Sequence, residues 1–172
     1  MVPHDVVTST YLACLVETVG LYSGATPNVR PFSGLGPAPG LDPDADEPPF
    51  ATLIRFGEER VWGSSLLIAD GTSVLDLCAV PRADPSDWLG ELNNQIVGRL
   101  RNRLLRSSVC LLLSLPVPVV GFIRDRRAVV GWELEWAGGQ LTACLGLTVA
   151  PGVTFENDEV VEVAAEGTLC LF

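Results

Sequence analysis

The stretch that decides the fold is DPSDWLGELNNQIVGRLRNRLLR, residues 84–106, which has the start, length and periodicity of a long amphipathic helix. Asp84 is suited to cap this helix, Pro85 to its first position, and Asp87 to the positive end of its dipole. Roughly 22 residues without an internal proline give a helix about 33 Å long. At 100° per residue the apolar side chains fall on one side, and they are Trp88, Leu89, Leu92, Ile96, Leu100 and Leu104.

The opposite side of this helix carries polar residues and a glycine, namely Glu91, Asn94, Gly98 and Asn102, with Arg101 close to them. Asn93 falls near the edge of the apolar stripe, so the two neighbouring asparagines are not equivalent. Gly98 costs the helix about 1 kcal/mol relative to alanine, and a glycine on an exposed face lets another backbone come close. The pattern indicates a helix that presents chemistry to a partner protein. Taken alone, however, the carboxylate and carboxamide are better explained as an ordinary solvated helix face.

The rest of the chain predicts an α+β fold. Residues 6–21 have apolar side chains at helical spacing, and a sheet follows from several β-like segments. These segments are 51–56, 60–69, 109–115, 117–122, 128–136 and 140–148, with two further candidates at 159–163 and 168–172. We expect a mostly antiparallel sheet of about six strands, with the two long helices packed on one of its faces.

The chain of 172 residues is long enough for a single domain with its own core, and we assign residues 1–172 to one domain. Residues 24–49 are rich in proline, glycine and aspartate and predict a loop. Residues 70–83 are ambiguous, since 73–78 suits a short helix or a strand. Residues 149–172 form an acidic C-terminal extension.

Composition argues against several classes of function. The net charge of −10 disfavours binding to nucleic acid and to anionic membranes. The five cysteines lack CxxC spacing and lie in apolar contexts, so we expect small buried hydrophobes in a reducing cytoplasm. The N-terminus lacks the basic and apolar segments of a secretory signal. The most apolar run, residues 109–123, is too short to span a bilayer and contains two prolines. We expect a cytoplasmic protein.

Two local patterns imitate functional motifs. The glycine-rich segment 34–40 lacks the lysine and flanking elements of a phosphate-binding loop. The acidic segment 42–46 lacks the glycine and terminal glutamate of a calcium loop. His4 is the single histidine, which argues against a Ser-His-Asp triad and against a histidine metal site. We therefore expect no metal site.

The sequence resembles the CheC/CheX family of chemotaxis phosphatases, specifically its CheX branch. The match rests on the pattern ExxNxxxG at residues 91–98, preceded by Leu-Gly. It is supported by LSLP at 113–116 and VVG at 119–121, by VxGS at 61–64, and by the element order with its C-terminal hairpin. The resemblance covers roughly residues 6–147.

This resemblance implies a protein phosphatase that removes the phosphoryl group from the aspartyl phosphate of a CheY-like response regulator. It implies that Asn94 orients the attacking water and that Glu91 pairs with the regulator's lysine. Such hydrolysis needs an in-line water more than a strong base, and a carboxamide can both donate to and accept from that water. Gly98, Arg101 and Asn102 are then expected in the partner-binding surface. The Mg²⁺ would belong to the regulator, so the chain would need no cofactor of its own, and a homodimer is compatible with this assignment.

The sequence also departs from the family pattern. The proline-rich loop is long, residues 70–83 are short where relatives have a full helix, and the acidic extension is additional. The first helix lacks the asparagine that gives some relatives a second site, so we expect one site per chain. The main alternative is a non-catalytic domain of the same fold that binds a response regulator or a flagellar-switch-type partner. A small-molecule sensor is a third class, without positive support in the sequence.

Overall fold

The chain folds as a seven-stranded antiparallel sheet covered by helices, in a computed structural model that describes residues 3–33, 48–78, 84–119, 129–153 and 155. In chain order the elements are α1 (Pro3–Ser23), β1 (Asn28–Ser33), β2 (Phe50–Gly57), β3 (Val61–Ala69), α2 (Gly71–Asp76), α3 (Pro85–Leu105), β4 (Leu112–Leu113), β5 (Val117–Pro118), β6 (Val129–Trp136) and β7 (Gly139–Val149). The strand order is β1-β6-β7-β3-β2-β4, and β5 also pairs with β2. The predicted α+β class is confirmed.

The core lies between the sheet and the two long helices. The helices pack against each other, and α1 also contacts β6 and β7 while α3 contacts β2 and β3. Both helices therefore lie on one face of the sheet, as the sequence predicted. The buried residues of α1 are Val7, Tyr11, Cys14, Leu15, Thr18 and Val19.

The apolar character of α1 serves this core. Among the described residues, α1 is the one helix whose length and composition would allow it to cross a membrane, and core helices of soluble proteins have the same properties. Here one side of α1 belongs to the hydrophobic cluster that includes α3 and the sheet.

Part of the predicted loop 24–49 is a strand. Residues of β1 pair with β6 in antiparallel register, with Pro31 opposite Trp132. Because β1 is the edge strand of the sheet, a proline without an N–H can be accommodated there. The strand interrupts the predicted loop, and residues 34–47 of that loop lie outside the described residues.

The two strands predicted over 109–115 and 117–122 are much shorter than expected. β4 and β5 are two-residue segments that pair with opposite ends of β2. Between them the Ser114 hydroxyl accepts a hydrogen bond from the Arg55 N–H at 3.0 Å. Pro116 and Pro118 supply no N–H to a ladder, which explains why the pairing breaks into short pieces. Residues 120–122 and the predicted strands 159–163 and 168–172 lie outside the described residues.

The ambiguous segment 70–83 contains a short helix, α2. Its N-cap is Asp70, whose carboxylate accepts hydrogen bonds from the Ser73 N–H at 2.8 Å and from the Ser73 hydroxyl at 2.6 Å. Burial alone would raise the pKa of Asp70, but the hydrogen bonds from Ser73 and Thr72 outweigh it and hold that pKa below its ordinary value. The sequence carried this capping signal without resolving helix from strand. Residues 79–83 lie outside the description.

The cysteines are less uniformly buried than we expected. Cys14 and Cys144 are buried, Cys78 is half-buried and Cys110 is exposed. Burial raises the pKa of the Cys144 thiol to about 11, which keeps it protonated and unreactive at neutral pH. Cys110 follows α3 and is exposed between two buried neighbours, Val109 and Leu111. Cys170 lies outside the described residues.

Candidate functional site

The candidate site is built on α3, which begins and ends close to its predicted limits. The Asp84 carboxylate accepts hydrogen bonds from the N–H groups of Ser86 at 2.8 Å and Asp87 at 3.4 Å. The helix ends at Leu105, with Arg106 as its C-cap. Its buried residues are Leu89, Gly90, Leu92, Asn93, Ile96, Val97, Leu100 and Leu104, and Trp88 packs half-buried beside them. The predicted rotational phase of the helix is therefore confirmed.

The opposite side of α3 presents the predicted polar stripe. Glu91, Asn94 and Arg101 are exposed, whereas Gly98 and Asn102 are half-buried. The carboxylate and carboxamide residues are one helical turn apart on this side. Arg101 lies seven residues beyond Asn94, or about 10 Å along the helix axis. Glu91 and Asn94 are therefore close enough to act at one point of a partner, while Arg101 and Asn102 extend the same surface.

The side chains of Glu91 and Asn94 form few interactions with the rest of the chain. The carboxamide of Asn94 has no hydrogen-bond partner among the described residues. The Glu91 carboxylate forms no ion pair with them either, and it accepts one hydrogen bond, from Gln95 Nε2 at 3.1 Å. Both groups are thus free to bind water or groups of a partner.

Asn93 has the opposite environment, because its side chain is fully buried. Its Nδ2 donates to the carbonyl oxygens of Thr52 and Ser65, each at 3.2 Å, and its Oδ1 accepts from the Ser65 hydroxyl at 2.6 Å. Since that hydroxyl hydrogen is used, the Tyr11 hydroxyl donates to Ser65 Oγ at 2.7 Å. Burial raises the pKa of Tyr11 well above its ordinary value. The expectation that Asn93 sits at the edge of the stripe is corrected: it ties α3 to β2, β3 and α1.

This anchor explains how the sequence orients the exposed pair. The amide of Asn93 is satisfied only when it faces β2 and β3, which fixes the rotation of α3 about its own axis. Asn94 is then turned about 100° away from the sheet by the helical step. The two adjacent asparagines consequently have different environments, Asn93 inside the core and Asn94 at the surface.

Two glycines of α3 have different packing. A Cβ added to Gly90 would lie 3.3 Å from Pro116 Cβ, so this glycine allows the helix to approach the β4–β5 connection closely. A Cβ added to Gly98 would meet no atom within 4 Å. Packing within the described chain therefore gives no reason for a glycine at Gly98, whereas the approach of an external backbone would.

The arginines of α3 divide into two groups. Arg99 and Arg103 form ion pairs with Glu17 of α1. Arg101 is exposed and forms no ion pair within the described part of the chain. Two of these three arginines thus join α3 to α1, which leaves Arg101 as the one available to a partner. In α1 the residue three positions after Glu17 is Gly20, so this helix does not repeat the carboxylate and carboxamide pair that α3 carries.

Sequence reasoning missed Gln95 and Tyr22. The Tyr22 hydroxyl donates to Gln95 Oε1 at 2.8 Å, and Gln95 in turn donates to Glu91. The i, i+4 spacing of Glu91 and Gln95 was a signal that could have identified the second of these bonds. Nothing local could have identified Tyr22, which reaches the site from α1. The described residues contain no group of three or more His, Cys, Asp or Glu that could hold a metal ion.

No protein-family model and no curated protein sequence matches the chain. Solved structures do. A CheC-like superfamily protein from Shewanella sp. PV-4 is similar with a TM-score of 0.64 and 15% identity, over 83% of this chain and 97% of that chain. A chain of the CheX–CheY–BeF3–Mg²⁺ complex from Borrelia burgdorferi is similar with a TM-score of 0.61 and 12% identity, over 81% and 96%.

A third similarity is to a chain of a different protein complex. A chain of the FliM–SpeE complex from H. pylori matches with a TM-score of 0.51 and 10% identity, over 83% of this chain and 84% of that chain. At identities this low the likeness concerns the fold, and it agrees with the resemblance found in the sequence. The chain therefore has the fold of the CheC-like and CheX chemotaxis proteins.

Proposed function

We propose that the chain is a CheX-like phosphatase that hydrolyses the aspartyl phosphate of a CheY-like response regulator. The observation that carries the proposal is the exposed Asn94 carboxamide, one turn from the exposed Glu91 carboxylate, on a helix whose rotation is fixed by Asn93. The shared fold supports it, since one of the similar structures is a complex of CheX with CheY. The direct test is the decay of a phosphorylated receiver domain with and without the chain.

The proposed chemistry requires positioning rather than strong acid or base. Water attacks the phosphorus, a new P–O bond forms, and the bond from phosphorus to the regulator's aspartate breaks to release a carboxylate. Asn94 Oδ1 accepts a hydrogen bond from the water while Nδ2 donates to an oxygen near it, which holds the water in line. Phosphoryl transfer of this kind depends mainly on such alignment and on charge stabilisation. The Mg²⁺ that stabilises the phosphoryl oxygens would belong to the regulator.

Glu91 is proposed to pair with the regulator's lysine near the phosphoryl group. We expect Glu91→Ala to weaken regulator binding as well as the rate, because it leaves that lysine without its partner at the interface. Such truncations typically cost about 2 kcal/mol or more, or roughly 30-fold in affinity. The measurement is the dependence of phosphate release on regulator concentration. Glu59→Ala removes an equal charge from the exposed turn between β2 and β3 and serves as the control. Equal affinities for the two variants would contradict the pairing.

Gly98 is proposed to admit the regulator's backbone. Gly98→Ala should stabilise the chain by about 0.4–1 kcal/mol, because alanine restricts the unfolded state and meets nothing within 4 Å in the fold. It should nevertheless weaken regulator binding. Gly20→Ala is the matched control, since a Cβ there has ordinary contact at 3.5 Å from the Ala25 carbonyl oxygen. Urea unfolding and titration with the receiver domain measure both effects. Unchanged binding by Gly98→Ala would remove this residue from the docking surface.

The alternative is a domain that binds a response regulator or a flagellar-switch-type partner without hydrolysis. The observation that favours it is the likeness to a chain of the FliM–SpeE complex. The two functions differ in one result, because a binding module would leave the lifetime of the acyl phosphate unchanged. Under either function Arg101 and Asn102 would extend the docking surface. Either function would also place the protein in the cytoplasm, which is part of the same proposal.

A further inference from the structure

We infer that Gln95 and Tyr22 are positioning residues that hold the Glu91 carboxylate ready for the regulator's cationic group. The inference rests on the proposed function and adds two residues to its site. Its basis is a relay of two hydrogen bonds, from the Tyr22 hydroxyl to Gln95 Oε1 at 2.8 Å and from Gln95 Nε2 to Glu91 Oε1 at 3.1 Å. The relay joins the C-terminal end of α1 to the exposed stripe of α3.

The direction of the relay follows from donor and acceptor chemistry. An ionised carboxylate only accepts hydrogen bonds, so it must meet the NH₂ end of the Gln95 amide. The carbonyl end of that amide is then turned to α1, where it needs a donor, and the Tyr22 hydroxyl supplies one. With the amide reversed, its carbonyl oxygen would face the Glu91 carboxylate and repel it. The carboxylate therefore sets the amide orientation, and the tyrosine hydroxyl, which can donate or accept, anchors the carbonyl end by donating to it.

The base of the relay is held by packing. Tyr22 is half-buried, and its ring stands edge-on to Trp88 with the ring centroids 5.3 Å apart and the planes at 87°. This is a favourable geometry for two aromatic rings. Because Trp88 lies in the first turn of α3, the contact fixes the tyrosine relative to the helix that carries Glu91. The hydroxyl is therefore held in one position beside Gln95.

The free end of the relay faces outward. Glu91 is exposed, and its Oε2 accepts no hydrogen bond from the described residues. One carboxylate oxygen is therefore held by the chain while the other is left for a partner. Binding a lysine then has less side-chain freedom to remove, since the carboxylate is already oriented. Asn94 takes no part in the relay, so disturbing the relay should affect docking more than the chemical step.

The test uses Tyr22→Phe, which removes the hydroxyl and keeps the ring against Trp88. With a phosphorylated CheY-like receiver domain as substrate, we expect KM to rise about 2- to 12-fold, the equivalent of one net hydrogen bond, while kcat is kept. Gln95→Met should have the same effect. In a Glu91→Ala background, Tyr22→Phe should have no further effect on KM, because the relay then has no carboxylate to position. A KM unchanged by Tyr22→Phe, or an equal rise in the Glu91→Ala background, would overturn the inference.

A second readout separates failure of the inference from failure of the proposed function. The side-chain NH₂ resonances of Gln95, followed by ¹⁵N NMR of the full chain without any regulator, should shift in Tyr22→Phe and in Glu91→Ala. If they shift in neither variant, the relay does not form and the inference is wrong, whatever the activity. If they shift but the unmutated chain neither binds nor dephosphorylates a receiver domain, the positioning of Glu91 stands and the proposed function fails.

Discussion

Asn94→Ala is expected to abolish phosphatase activity, with a loss on the order of 100-fold or more, as for other groups that position a reactant in the transition state. The fold should survive, because the side chain is exposed and forms no hydrogen bond within the described part of the chain. Alanine is also the better helix former, so the stability of α3 should be equal or slightly higher. The loss would therefore be one of chemistry alone.

The measurement is phosphate release from a phosphorylated receiver domain, after circular dichroism has shown an unchanged fold. Asn28→Ala is a matched control, since it removes an exposed asparagine at the start of β1. If Asn94→Ala keeps the activity of an active parent, the carboxamide does not position the water. The same conclusion follows if, per folded molecule, Asn93→Ala is the more damaging change.

Asn93→Ala should have the largest effect on stability. Removing the buried amide takes the Nδ2 donor from the carbonyls of Thr52 and Ser65, takes the acceptor from the Ser65 hydroxyl, which keeps only its bond from Tyr11, and opens a cavity. Each unsatisfied buried group costs about 1–3 kcal/mol, so the total should reach about 3 kcal/mol or more. For a chain of this size that lowers Tm by roughly 6–12 °C. Activity per folded molecule should be far less affected than in Asn94→Ala.

Urea unfolding, with activity assayed on the folded fraction, separates the two quantities. Ser65→Ala removes the other half of the main hydrogen bond, and the double variant should show clear non-additivity. A free energy of unfolding within about 0.5 kcal/mol of the parent, the range of an ordinary surface change, would show that Asn93 does not anchor α3. The opposite effects of two adjacent asparagines, one on stability and one on rate, would be difficult to explain without this orientation of the helix.

The orientation of α3 was predictable from its sequence because its apolar residues recur at one period over the whole helix. Capping by Asp84 was equally local and was found. The full burial of Asn93 was not predictable. A helical angle places a residue near the apolar stripe but carries no information about hydrogen-bond partners on β2 and β3. Helical spacing therefore identified the exposed pair and placed its neighbour only approximately.

The errors in the strands both involve proline. β1 contains Pro31, and its position at the sheet edge, which tolerates proline, is decided by pairing with β6 about 100 residues later. β4 and β5 were overestimated because their apolar composition favours strands while Pro116 and Pro118 remove ladder donors. For β4 and β5 these prolines are local, whereas for β1 the deciding contact is remote in the sequence. The same holds for Tyr22, whose bond to Gln95 spans 73 positions.

The measurement that most directly tests the central claim is phosphate release from a phosphorylated CheY-like receiver domain in the presence of a smaller molar amount of the unmutated chain. Catalysis predicts several phosphates released per chain, at a rate proportional to chain concentration, and loss of that acceleration in Asn94→Ala. A chain that binds the receiver domain in a parallel titration but leaves the acyl phosphate to decay at its own rate would contradict the phosphatase function and identify a binding module.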